Sequence, residues 1–360
     1  MKTGDAPPTD WGAEGPQGWV QARSLATVSR GLVADVEGAG ARLHPVPTGF
    51  SAIDRWISGG VRAGDLVLLG GAQGVGKTTM CLQMARNIAA SGQANVLYAC
   101  YEHPDDYVLN RLLVQETIDP TAAGVAGVVG GLTLDELVAL MAERNEQVSG
   151  KTPLEAVGDH PAGARAIEAV NAYAERFHLV TGVAHRDSIG SLKALVSQHR
   201  MRDNQPLVLF VDYLQKVQPA RQDLPDEAER VTEVVQELKQ LALGANIAVV
   251  AIVAAEKEGL RAPRLRFTHL RGSSALMYEA DIAIIMNDKW QIIDRDRIVF
   301  NIHKSKQYRD WIVCTIEKNR SGRNLVDVEF LKRFEHCCFN PNGEIVAERL
   351  YEERIQGERE

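Results

Sequence analysis

The chain has 360 residues, with 40 Lys and Arg against 47 Asp and Glu, a formal net charge of −7, and 45% hydrophobic residues. This composition suits one large or two ordinary globular domains and excludes a disordered, collagen-like or fibrous chain. The acidic balance also excludes a uniformly basic nucleic-acid wrapper, while leaving room for a local basic channel. No apolar run approaches the roughly 20 residues that span a bilayer, and the start lacks the basic and apolar regions of a secretory signal. The five cysteines, at 81, 100, 314, 337 and 338, show no C-x-x-C spacing. They read as reduced thiols in a cytoplasmic protein, Cys337 and Cys338 after His336 included.

In chain order, residues 1–23 are rich in Gly and Pro and read as a flexible tail, with Trp11 and Trp19 as its unexpected members. Over residues 24–37, Leu25, Val28, Leu32 and Val36 share one face of a short helix, and a connector runs to residue 47. That helix stands alone, so its stripe needs a partner surface. An α/β body is expected over 48–345 and a charged tail over 346–360. Apolar runs at 66–69, 96–101, 207–211, 248–253 and 282–286 read as two-sided buried parallel strands. Helices alternate with them. The segment 120–180 reads as mostly helical and peripheral, with Thr133 and Glu136 as a capping box for a helix to about residue 147. A helix from about residue 226 carries Val231, Val234, Val235, Leu238, Leu241 and Ala242 on one face. Runs at 299–302, 311–317 and 325–330 read as antiparallel strands extending the sheet edge. The alternation predicts a doubly wound, mostly parallel sheet with helices on both faces.

The sharpest motif is Gly71-Ala72-Gln73-Gly74-Val75-Gly76-Lys77-Thr78, followed by Thr79. It matches G-x-x-x-x-G-K-[ST] after a strand and before a helix. Its glycines let backbone N–H groups turn inward around phosphates, where the helix N-terminus adds its positive dipole end. Lys77 is expected to bridge the outer phosphates of ATP, and Thr78 to ligate Mg²⁺. Asp212 ends the strand at 207–211 and is the second expected metal ligand. Glu102 ends the strand at 96–101 and is expected to orient and polarise the attacking water.

Several stretches together resemble the RecA superfamily, and within it the ATPase domain of DnaB-type hexameric replicative helicases. They are Pro47-Thr48-Gly49-Phe50 with Asp54, Gly64-Asp65, Tyr101-Glu102-His103-Pro104, Val211-Asp212-Tyr213-Leu214-Gln215, Leu270-Arg271-Gly272-Ser273-Ser274 before Ala280-Asp281, and Lys318-Asn319-Arg320-Ser321-Gly322. The resemblance covers residues 24–340. It implies a RecA-like fold, Glu102 as catalytic base, and Lys318 and Arg320 reaching across a subunit interface onto a neighbour's γ-phosphate. It further implies a homo-oligomeric ring, a hexamer, with the helix at 24–37 as a linker helix docked on the adjacent subunit. Single-stranded DNA would be held by loops facing the ring centre. The segments around Arg221 and from Lys257 to Ser274 are the candidates, with Arg264, Arg266, Arg271, Gly272 and Ser273 as expected contacts and Arg271 foremost. A loader or other replication protein is an expected partner, and a membrane is not.

The sequence departs from that family in places. The family's helical N-terminal domain has no counterpart in the tail. Ala254-Ala255-Glu256 stands where the helicases resemble Ser-Gln-Leu-Asn, leaving Ala254 at the position of a γ-phosphate-sensing polar residue. Arg-Gly-Ser-Ser replaces Arg-Glu-Ser-Gly. The leading expectation is an ATP-dependent DNA helicase or translocase. The alternative is a regulatory or assembly ATPase resembling the KaiC and RadA branches, switching oligomeric state without unwinding.

Overall fold

In the computed structural model, residues 24–27, 29, 44–118, 131–143, 152–181, 188–203, 205–221, 223–224, 226–293, 308–347 and 350 are described. The chain divides into two units, residues 1–40 and 41–360. In the first, residues 25–27 are helical and Leu25 is 84% exposed. Residues 28 and 30–37 of the expected linker helix, the tail with Trp11 and Trp19, and the expected strand at 299–302 lie outside the described residues.

The second unit is built on one mixed sheet. Its strands are β1 (Leu66–Gly71), β2 (Asn95–Cys100), β3 (Phe177–Thr181), β4 (Leu207–Asp212), β5 (Ala248–Ala254), β6 (Ile282–Asp288), β7 (Trp311–Asn319), β8 (Val326–Arg333), β9 (Cys338–Phe339) and β10 (Glu344–Ile345). Among the described residues they run in the order β10-β8-β7-β6-β1-β5-β4-β2-β3, with β9 on β8. The strands from β3 across to β6 are parallel, and β6, β7, β8 and β10 pair antiparallel. The expected mostly parallel α/β sheet with antiparallel C-terminal strands is therefore the observed one.

The apolar runs are continuous because both faces of these strands are covered. Val67, Leu69, Val208 and Phe210 pack on one side with α1 (Ser51–Trp56), α2 (Lys77–Ser91) and α3 (Asp105–Glu116). Leu66, Leu68, Leu207 and Leu209 pack on the other with α7 (Ile189–Arg202), α8 (Glu227–Gly244) and α9 (Ser273–Glu279). Successive residues of a strand point to opposite faces, so two-sided burial requires both to be apolar.

Between them, α4 (Leu134–Glu143), α5 (Pro153–Gly158) and α6 (Pro161–Tyr173) form a side cluster on α3, around Leu113, Leu137, Val157 and Ala166. The Thr133 capping box is present, with Glu136 N donating to Thr133 Oγ1 at 3.2 Å and Thr133 N to Glu136 Oε2 at 2.7 Å. The segment 120–180 is not helical throughout: its end forms β3, the outermost parallel strand. Among the described residues only one side of β3 has a neighbouring strand, and four of its five residues are half-buried, Thr181 being exposed. It therefore lacks the uniform apolar run that marks the central strands. Packing also continues past residue 345, since Val346 and Leu350 close on Ile292 and Val313.

The Thr48-Gly49-Phe50 stretch that carries part of the family resemblance is a turn locked by a carboxylate. Asp54 accepts from Thr48 N at 2.9 Å, Thr48 Oγ1 at 2.8 Å and Gly49 N at 3.1 Å while only 9% exposed. Gly49 has φ +81°, and a Cβ there would lie 2.3 Å from Asn87 Nδ2. Asp54→Ala strands these donors inside the protein, so it is expected to cost about 2–4 kcal/mol, read as a lower urea midpoint at unchanged slope.

Candidate functional site

The phosphate loop leaves β1 at Gly71 and enters α2 at Lys77. Gly74 and Gly76 take φ values of +78° and +95°, the left-handed region that turns backbone N–H groups inward. Gly76 is constrained twice: a Cβ there would meet the rings of Phe334 and Phe339 at 2.7 Å. These two aromatics, one in β9 and one in the turn that precedes it, pack edge to face with centroids 5.3 Å apart and brace the loop. Motif reading did not find them, because the contact joins positions far apart in sequence.

The loop forms one wall of a cleft of about 770 Å³ that also includes Thr78, Thr79, Glu102, Asp212, Gln215 and Arg271. The residues come from the C-terminal ends of parallel strands, where open α/β sheets expose loops and helix N-termini together. The structure thus brings the phosphate loop, Asp212 and Glu102 into one cavity. Lys77 Nζ donates to the carbonyls of Gly71 at 3.0 Å and Ala72 at 2.8 Å. Burial pulls the Lys77 pKa below its ordinary value, against the pull of Asp212 and Glu102.

Asp212 has no exposed surface. Burial pushes its carboxyl up to about 6, although the hydroxyls of Thr78 and Tyr98 favour the ionised form. Tyr98 Oη donates to Asp212 Oδ2 at 3.0 Å, while Oδ1 is buried without a partner among the described residues. An acceptor oxygen left open beside the Thr78 hydroxyl fits a hard divalent cation. Tyr98 was not anticipated, yet a tyrosine in a two-sided buried strand needs a partner for its hydroxyl, and that signal was available.

Lys318 and Arg320 do not line this cleft. They lie at the end of β7, where Lys318 Nζ donates to the Met277 carbonyl and Arg320 Nη2 to that of Tyr278, both in the last turn of α9. Arg320 Nη1 also contacts Asp281 Oδ1 at 3.1 Å, and Asp281 Oδ2 holds Lys239 at 2.6 Å and Leu66 N at 2.8 Å.

The expected basic loop is corrected in part. Arg264 is 2% exposed, paired with Asp327 and donating to Thr315 Oγ1 at 2.8 Å. It stabilises the sheet and is closed to a nucleic-acid backbone. Arg266 is engaged with Glu317 at 2.9 Å, Arg271 with Glu227 at 2.7 Å, and Arg221 with Asp223 at 3.2 Å. Lys257 and Arg261 are exposed. Gly272 caps α9 at φ +82°, and a Cβ there would lie 2.5 Å from Val231 Cγ1, so packing alone accounts for the glycine. Ala254 is hydrogen-bonded on both sides of its peptide, its N donating to Gln215 Oε1 at 3.2 Å and its O accepting from Arg271 N at 3.1 Å.

The Asp212 carboxyl holds its proton to higher pH in the fold than in the unfolded chain, so it takes stability from the metal-free fold as pH rises from about 4 to 6. Asp212→Asn is therefore expected to be more stable than wild type at pH 7 in chelator, by up to about 3 kcal/mol. The difference should close toward pH 4 in thermal unfolding. An unchanged difference across that range would contradict the buried-carboxylate account.

The family profile of the DnaB-like helicase C terminal domain matches residues 45–153 and 160–337. The replicative DNA helicase DnaB of Geobacillus stearothermophilus is 23% identical over 294 residues, covering 80% of this chain and 55% of the relative. The replicative DNA helicase DnaC of Bacillus subtilis is 24% identical over the same length and shares. The chain thus spans about half the length of these relatives. The DNA repair protein RadA of Mycobacterium tuberculosis is 38% identical over 76 residues, 21% of this chain and 16% of that protein. Among solved structures, the ATPase domain of G40P superposes with a TM-score of 0.66 at 18% identity, covering 89% of this chain and 99% of that one. A DnaB-like replicative helicase, described with its interactions with primase, gives 0.62 at 18%, covering 89% and 67%. With the profile matched over most of its length and a RecA-like sheet that ends in the cleft beside the glycine-rich loop, the chain belongs to the DnaB-like helicase C-terminal domain family.

Proposed function

We propose that the chain is an ATP-hydrolysing motor of the DnaB-like type, working as a ring, a hexamer, on single-stranded DNA. The observation that carries this reading is the convergence of the phosphate loop, the buried Asp212 and Glu102 on one cleft, with Lys318 and Arg320 outside it. Backbone N–H groups of residues 71–79 and the N-terminus of α2 hold the inner phosphates. Lys77, turned onto its own loop carbonyls, transfers its donors to the outer phosphates. Thr78 and Asp212 would hold Mg²⁺, which would supply charge neutralisation at the phosphoryl oxygens. Glu102 accepts a proton from the water that attacks the γ-phosphorus as the bond to the β-phosphate oxygen breaks, giving ADP and phosphate.

Lys318 and Arg320 complete a neighbour's site. Their donors rest on the C-terminal carbonyls of α9, a helix whose N-terminal end carries Arg271, Gly272 and Ser273. Those residues, with the exposed Lys257 and Arg261, are the proposed contacts to the DNA backbone, and Arg266 joins them only by leaving Glu317. The buried Arg264 is excluded from the set. A loader or another replication protein is the further proposed partner. No described helix is long and apolar enough to cross a membrane.

A second reading, a regulatory ATPase of the RadA or KaiC kind, is favoured by the missing polar side chain at Ala254. ATPase rate with and without single-stranded DNA, measured with particle mass on the same samples, separates the two. The motor predicts stimulation by DNA of about tenfold or more together with a nucleotide-dependent ring, and indifference to DNA favours the regulator. Lys77→Ala should lose turnover by at least about a hundredfold, and wild-type turnover in that variant would overturn the site. Arg320→Ala should also be inactive alone, yet recover part of the activity in mixed assemblies with Lys77→Ala. Absence of recovery would count against a finger acting in trans.

A further inference from the structure

We infer that the side-chain amide of Gln215 is a γ-phosphate contact, filling from the neighbouring strand end the role for which Ala254 has no side chain. This rests on the reading of the cleft as a nucleoside triphosphate site. Gln215 lies in the single turn Leu214–Lys216 that follows Asp212, and it lines the phosphate cleft. Its Oε1 accepts from Ala254 N at 3.2 Å. A backbone N–H only donates, so this bond fixes which end of the amide is oxygen and leaves Nε2 as the other. Nε2 is buried and has no acceptor among the described residues. Buried donors of this kind are uncommon in native proteins and call for a reason.

The reason lies in the partner orphan of the same cleft. Asp212 Oδ1 is likewise buried and unpartnered, and it is an acceptor. One unpartnered acceptor and one unpartnered donor, both buried, belong to residues that line the same cavity, and they do not satisfy each other. A cation bound to phosphate meets both needs at once: the metal takes the carboxylate oxygen and a phosphoryl oxygen takes the amide N–H. The loop amides and the N-terminus of α2 face the inner phosphates. Gln215 belongs instead to the side of Asp212 and Glu102, where the terminal phosphate meets the attacking water. An amide there distinguishes a nucleoside triphosphate from a diphosphate, since only the former carries the oxygen it binds.

The test compares binding of a non-hydrolysable ATP analogue and of ADP, each with Mg²⁺, to wild type, Gln215→Glu and Gln215→Ala. Glu keeps the acceptor for Ala254 N but replaces the donor with an anionic oxygen; Ala removes both groups and adds no charge, so the Ala variant isolates the lost hydrogen bond. Both variants are expected to weaken the triphosphate analogue by about tenfold while ADP stays within about twofold, a hydrogen bond to a charged group being of that size. Equal weakening of both nucleotides, or no weakening of either, overturns the proposal. Lys77→Ala serves as the reference: if it binds both nucleotides like wild type, or wild type binds neither, the reading of the cleft itself has failed.

Discussion

A carboxylate with no exposed surface is the constraint from which the cleft is organised. Asp212 ends a strand covered on both faces, so water cannot compensate its charge, and burial holds its carboxyl near 6. The surroundings answer that demand only in part. Tyr98 gives one hydroxyl to Oδ2 and Thr78 brings another, while Lys77 contributes a positive charge from across the loop. Oδ1 stays open. A site that leaves one anionic oxygen uncompensated suits a cation brought together with its counter-charge, the role the proposed metal-bound triphosphate would fill.

The sheet order makes this possible. β1 brings the phosphate loop, β4 brings Asp212, β2 brings Glu102, and β5 ends at Ala254 between the first two. Because these strands are parallel, their C-terminal ends lie on one side, and chemistry carried by segments far apart in sequence meets there. The Ala254 peptide is the junction between two of them, bonded to Gln215 on one side and Arg271 on the other. α9 then runs from Ser273, two residues past Arg271, to the carbonyls on which Lys318 and Arg320 rest. At about 1.5 Å of rise per residue its seven residues span roughly 10 Å, a short rigid link between the proposed DNA loop and the proposed finger.

The five cationic residues of the 257–271 segment show how electrostatic reading of a sequence overreaches. As a string, Lys257, Arg261, Arg264, Arg266 and Arg271 form a basic loop with only Glu258 against them. Three of them, Arg264, Arg266 and Arg271, meet counter-charges from elsewhere: Asp327 and Glu317 from the antiparallel strands, Glu227 from the start of α8. Long cationic side chains reach acidic partners that are remote in sequence, so local charge counts do not measure what is left for a ligand.

What the sequence alone determined is the part carried by local rules. Two-sided apolar runs marked the central strands, since β1, β2, β4, β5 and β6 bury both faces. The glycine pattern marked the phosphate loop, since left-handed backbone and close approach admit little else. Strand-end placement brought out Asp212 and Glu102. The tertiary structure decided the rest. It made β3 an edge strand whose half-buried residues carry no continuous apolar signal, and it set Phe334 and Phe339 behind Gly76. It withdrew Arg264 into a buried ion pair, and it left two complementary orphan atoms buried on Asp212 and Gln215, residues that line one cavity. Each of these depends on contacts between distant segments, whose geometry exists only once the sheet has formed.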